Sequence, residues 1–99
     1  MPLQVQLDRE AVERFCRENR IRRLSVFGSA LRSDFRPDSD VDVLVEFEPE
    51  VLIGLIGLAR LELELAEMVG REVDLNTPAG LHRRFRDRVL AEAEVLYAA

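Results

Sequence analysis

Along residues 41–47 apolar and polar positions alternate: Val41, Val43, Val45 and Phe47 fall on one side of an extended chain, and Asp40, Asp42, Leu44 and Glu46 on the other. This predicts a strand with a core seam on one face and two carboxylates at the mouth of the other. Upstream, Ala11, Val12, Phe15 and Cys16 recur at helical spacing behind Asp8, so an amphipathic helix is expected over 8–19 with Asp8 as its N-cap. A basic elbow, 20–23, then leads into a strand over 24–27. A short helix over 29–33 and a loop over 34–39, containing Pro37, should follow. Beyond the central strand, Glu48-Pro49-Glu50 breaks the alternation. Leu58, Leu61, Leu65 and Met68 at steps of three and four then predict a helix over 53–69, closed by Gly70. Residues 71–76 alternate again as a third strand, with Glu72 and Asp74 on one face and Val73 and Leu75 on the other. A last helix should start at Thr77-Pro78 and run through Leu81, Phe85, Val89, Ala93 and Leu96.

These elements amount to an α+β fold with α/β-type alternation: a small mixed sheet of about three strands flanked by helices, in a single domain over 1–99. That length is too short for a catalytic domain plus a substrate-recognition domain. Residues 51–58 are apolar on nearly every side and exceed what one helix face can bury, which predicts a subunit or partner interface, or else a helix inserted centrally in the core. The elbow arginines 20–23 read as a solvated joint or as ion-pair partners for Glu10, Glu13 and Glu18. His82 and Tyr97 read as surface and packing residues. Arg83, Arg84, Arg86 and Arg88 form a cationic run that is either a solvated face or a contact for a partner or an RNA.

Composition narrows the function. The net charge of −5 disfavours a general nucleic-acid binder, because release of phosphate counterions needs a basic surface. All 14 basic residues are arginine, so a bound phosphate must be met by metal, backbone N–H groups or arginine. The single cysteine, Cys16, excludes an internal disulfide and fits a reducing interior. No export signal opens the chain, and its longest apolar run is far shorter than the roughly 20 residues that span a bilayer, so a cytoplasmic location is expected.

The candidate chemistry sits between Phe27 and Phe47. Asp40 and Asp42, two residues apart on a strand, hold carboxylates roughly 6 to 7 Å apart. That spacing suits divalent ions, which in paired sites lie about 3.5 to 4 Å from each other. Hard oxygen ligands favour Mg²⁺ or Mn²⁺ over zinc. Taken alone, an Asp-x-Asp pair fits a solvated strand end equally well. Gly28-Ser29 changes the balance, since a strand followed by Gly-Ser and a helical turn presents free N–H groups and a hydroxyl to an anion. Arg32, one turn later, can approach a phosphate or pair with Asp34 or Asp38. Either Glu72 or Asp74 could add a third acid.

The string GSALR, a short loop, and then DSDVDVLVEF resembles the signature of the minimal nucleotidyltransferases of the DNA polymerase beta superfamily, and the resemblance runs over most of the chain. It departs from the family at Ser33, where a glycine is common. The resemblance implies the nucleotidyltransferase fold, and it picks Asp74 over Glu72 as the third acid. It further implies Asp40, Asp42 and Asp74 as catalytic, metal-binding residues for two Mg²⁺ ions, and Gly28, Ser29, Arg32 and Ser39 as the nucleotide-binding set. The activity implied is transfer of AMP from ATP to a hydroxyl, with a tyrosine of a helical HEPN-type toxin as acceptor and the chain acting as antitoxin in a homo- or hetero-oligomer. The rivals are a non-catalytic antitoxin that acts by contact, and a transferase for a small hydroxylated molecule.

Overall fold

A computed structural model describes residues 8–28 and 40–99. In chain order the elements are α1 (Arg9–Glu18), β1 (Ile21–Phe27), β2 (Val41–Phe47), α2 (Leu55–Val69), β3 (Val73–Asn76), a 3₁₀ turn (Pro78–Gly80), α3 (Arg83–Glu92) and β4 (Glu94–Ala98). The predicted helix over 29–33 and loop over 34–39 lie outside the described residues. Asp8 caps α1 as expected, its carboxylate accepting from the N–H groups of Glu10 and Ala11.

The strands form one mixed sheet in the order β3-β2-β1-β4. β1 is antiparallel to both β2 and β4, while β3 joins the far side of β2 in parallel. A parallel neighbour needs a crossover connection, and α2 supplies it. Val12, Phe15 and Cys16 of α1 and Leu61 and Leu65 of α2 pack with Leu24, Val26, Val41, Val43, Val45, Val73 and Leu75, so both helices cover one face of the sheet. Leu44, across β2 from this cluster, is also buried. Burial pushes the Cys16 thiol up to about 12, as desolvation disfavours the thiolate.

The α+β architecture is as predicted, with one strand more than the three expected. The last helix does not run through Leu96. It is divided into the 3₁₀ turn, whose Thr77 hydroxyl accepts from Gly80 N–H, and α3, whose N-cap His82 accepts through Nδ1 from Arg84 N–H. The helix stops at Glu92, and the chain then pairs with β1 as β4, Leu24 facing Tyr97 and Ser25 facing Val95. The helical spacing of apolar residues up to Leu96 concealed this pairing, which depends on a strand far away in sequence.

β1 begins at Ile21, so Arg22 and Arg23 belong to a strand and not to an elbow; the tight turn before it is made by Arg20, at φ 54°. Arg23 pairs across the sheet with Glu46, 3.6 Å away, and Glu13 pairs with Arg17 on its own helix. The 51–58 stretch is divided. Ile53 and Leu58 pack against the core, whereas Leu52, Leu55 and Ile56 are 99%, 86% and 82% exposed. Gly70 ends α2 in the left-handed region at φ 77°, as a C-terminal glycine should. No helix among the described residues is long and apolar enough to cross a membrane.

Candidate functional site

Register decides where the acids go. Parallel pairing sets Asp42 of β2 directly beside Asp74 of β3, and antiparallel pairing sets Phe27 of β1 on the other side of Asp42. Residues in register on neighbouring strands share a face, with backbones about 4.8 Å apart. One row across the sheet therefore reads Phe27, Asp42, Asp74, on the face opposite the α1–α2 core. β3 is held in place by its ladder and by α2: Val41 N–H donates to Glu72 O at 2.9 Å, and the outward N–H of Leu75 donates to Glu62 Oε2 at 2.8 Å. Asn76 Nδ2 donates to the carbonyl of Asp74 at 3.1 Å, fixing the strand end that carries the acid.

Gly28 follows Phe27 at φ 72°, a conformation that strains any side-chain-bearing residue. A Cβ at this position would overlap Asp42 Oδ2. The backbone at the end of β1 thus lies against the Asp42 carboxylate, a closeness that only glycine allows. Asp40 stands one residue before β2 and is exposed. Among the described residues no three His, Cys, Asp or Glu side chains form a cluster able to hold a metal ion. What the register draws together is the pair Asp42 and Asp74. Ser29, Arg32 and Ser39 lie outside the described residues.

α3 provides the far wall. A cleft of about 390 Å³ is lined by Gly28, Phe27, Asp42, Asp74 and Asn76 from the sheet side and by Leu81, Phe85, Arg88, Val89 and Glu92 opposite. Phe85, Arg88, Val89 and Glu92 are spaced i, i+3, i+4, i+7, one face of a helix. The sequence held this signal in the run of arginines. Nothing local, however, showed which of them would line the cleft with the acids, because that depends on where α3 sits relative to the sheet. The cleft can thus take a ligand with an apolar part against Phe27, Leu81, Phe85 and Val89, and a group next to the two carboxylates that tolerates or neutralises their charge.

With this geometry in view, the likeness to known proteins is specific. The nucleotidyltransferase-domain pattern matches residues 8–96. A Methanocaldococcus jannaschii protein, provisionally named a protein adenylyltransferase, is 42% identical over 73 residues, covering 74% of this chain and 76% of its own. A toxin-antitoxin crystal structure with AMP-PNP superposes at TM-score 0.75 with 20% identity, over 94% of this chain and 75% of that one. The complex of a tri-AMPylated Shewanella oneidensis HEPN toxin with an MNT antitoxin superposes at TM-score 0.67 with 19% identity, over 92% of this chain and 70% of that one. At those identities the two structures speak for the fold. Together with the pattern match over nearly its whole length, they leave the chain a member of the nucleotidyltransferase-domain family of enzymes.

Proposed function

We propose that this chain transfers AMP from ATP to a tyrosine hydroxyl of a HEPN-type toxin partner, and so serves as its antitoxin. The observation that carries this reading is the register of Asp42 and Asp74 beside the glycine that closes on Asp42. Two carboxylates side by side repel one another and call for a cation between them. An all-oxygen donor set fits Mg²⁺ or Mn²⁺; Asp42 and Asp74 are the pair that would hold it, with Asp40, which stands before β2 and is not clustered with them, as the further ligand the sequence assigns. When bound, such ions supply charge neutralisation at the phosphates and a lowered pKa for the acceptor hydroxyl.

The chain's own groups have separate tasks. Gly28 and Ser29 offer N–H groups and a hydroxyl to the β- and γ-phosphates, with Arg32 and Ser39 completing the nucleotide-binding set. Asp42 fixes the α-phosphate side of the site. Asp74 accepts the tyrosine proton as the phenolic oxygen attacks the α-phosphorus in line. The bond to pyrophosphate breaks as the new P–O bond forms, and the proton passes to solvent. The partner brings its own acceptor surface, and the exposed Leu52, Leu55 and Ile56 offer apolar area for seating it.

Incubation with ATP labelled at the α-phosphate, Mg²⁺ and the product of the adjacent reading frame tests the proposal. The expected result is label on the partner, lost at least about a hundredfold (about 2.7 kcal/mol of barrier) in Asp42→Asn with circular dichroism unchanged. Binding of the partner with no label, or an Asp42→Asn variant as active as the parent, would overturn it and favour inhibition by contact alone.

A further inference from the structure

Beyond the residues already assigned, the cleft contains a cation on its far wall. Of the four arginines in the run along α3, Arg88 lines the cleft that holds Asp42 and Asp74. Arg83 and Arg84 are outside its lining, and Arg86 turns back to donate through Nη2 to the carbonyl of Leu81 at 3.4 Å. Among the described residues, Arg88 is the one basic side chain in a lining that includes three carboxylates: Asp42, Asp74 and Glu92.

Arg88 Nε donates to Glu92 Oε1 at 3.2 Å, and both side chains are largely exposed. An exposed pair four residues apart on a helix is a weak association, readily exchanged for a better acceptor. A phosphate is such an acceptor, because the planar guanidinium meets it with two parallel charge-assisted hydrogen bonds. The position matters as much as the chemistry. Phe85 and Val89 flank Arg88 on the same helical face, so a nucleoside held against them would bring its phosphates between the arginine and the acid pair.

We propose that Arg88 is a substrate-binding residue that grips the phosphate chain of the donor nucleotide, with Glu92 as its counter-ion in the empty cleft. This deepens the assignment above and rests on it. The arginine exchanges a carboxylate for a phosphate, and its positive charge offsets part of the repulsion between a triphosphate and the acidic wall. With a divalent ion held by the acid pair, Arg88 would take up part of the triphosphate charge from the other wall of the cleft.

Equilibrium binding of a fluorescent, non-hydrolysable ATP analogue with Mg²⁺, and of the matching adenosine analogue, tests it in the parent, Arg88→Ala, Arg88→Lys and Glu92→Gln. Arg88→Ala should weaken the triphosphate at least tenfold and flatten its dependence on salt, while adenosine binding changes less than twofold. Arg88→Lys should recover part of the loss, and Glu92→Gln should bind the triphosphate as tightly as the parent or more so. Equal losses for triphosphate and adenosine, or matching losses in Arg88→Ala and Glu92→Gln, would assign the pair a structural role and overturn the inference. So would triphosphate binding by Arg88→Ala within twofold of the parent. A parent protein that binds no nucleotide sinks the underlying transferase reading itself, a result distinct from all of these.

Discussion

Gly28 and Gly70 form a matched pair for one decisive test, since both occupy the left-handed region, at φ 72° and 77°. Their surroundings differ. A Cβ at Gly70 would meet nothing within 4 Å, whereas one at Gly28 would overlap Asp42 Oδ2 and lie 3.3 Å from Asp42 Cγ. Gly70→Ala should therefore show the conformational cost alone, about 1 to 2 kcal/mol for an L-residue held at positive φ. In a domain of this size that lowers Tm by about 5 to 10 °C. Gly28→Ala bears the same backbone cost. Its overlap is relieved cheaply by swinging the short Asp42 side chain, so the two variants should melt within a few degrees of each other. They should differ in chemistry, because the atom that moves is the carboxylate oxygen assigned to the site. Thermal melts of both variants, with adenylyl-transfer rates measured at least 15 °C below the lower Tm, give the comparison. The expected outcome is near-parent activity for Gly70→Ala and a loss of about a hundredfold or more for Gly28→Ala. Activity of Gly28→Ala within threefold of Gly70→Ala would refute the argument that the glycine keeps Asp42 in its working position.

Two further variants probe the support beneath the site. Glu62→Ala strands the outward N–H of Leu75 and should cost about 1.5 to 3 kcal/mol, with loss of hydrogen-exchange protection at that amide, whereas Glu62→Gln keeps an acceptor there; an unchanged melt and unchanged exchange would remove Glu62 from the account. The Cys16 thiol, held protonated up to about 12 when folded and ionising near 9.0 when unfolded, contributes its full share of stability below pH 9. Above that the unfolded chain binds fewer protons, so stability should fall by up to about 1.4 kcal/mol per pH unit until pH 12, and denaturant melts of Cys16→Ala should lack this added slope.

What could be read from the sequence is what local periodicity encodes. Asp8 ahead of an apolar stripe announces α1, the valines of β2 announce their own alternation, and Gly70 announces the end of α2. The strand that bears Asp74 was legible because the residues around it alternate. β4 was not legible. Val95 and Tyr97 carry no turn signal, and their extended conformation follows from a free edge on β1. The start of β1 was missed for a related reason: Arg22 and Arg23 look like a joint until Glu46 is placed across from Arg23. The α3 wall of the cleft is a tertiary fact, and spacing within α3 alone cannot say that Arg88 lines the cleft holding the acids while Arg83 does not.

The parallel position of β3 has a consequence for the order in which the molecule becomes competent. Asp42 is made early and Asp74 only after the whole of α2, and the strand bearing the later acid attaches to an outer edge of a sheet whose centre is already laid down. A growing polypeptide that has emerged only as far as α2 possesses one of the two acids. During synthesis, the row of two acids is therefore completed only when a strand of four residues docks.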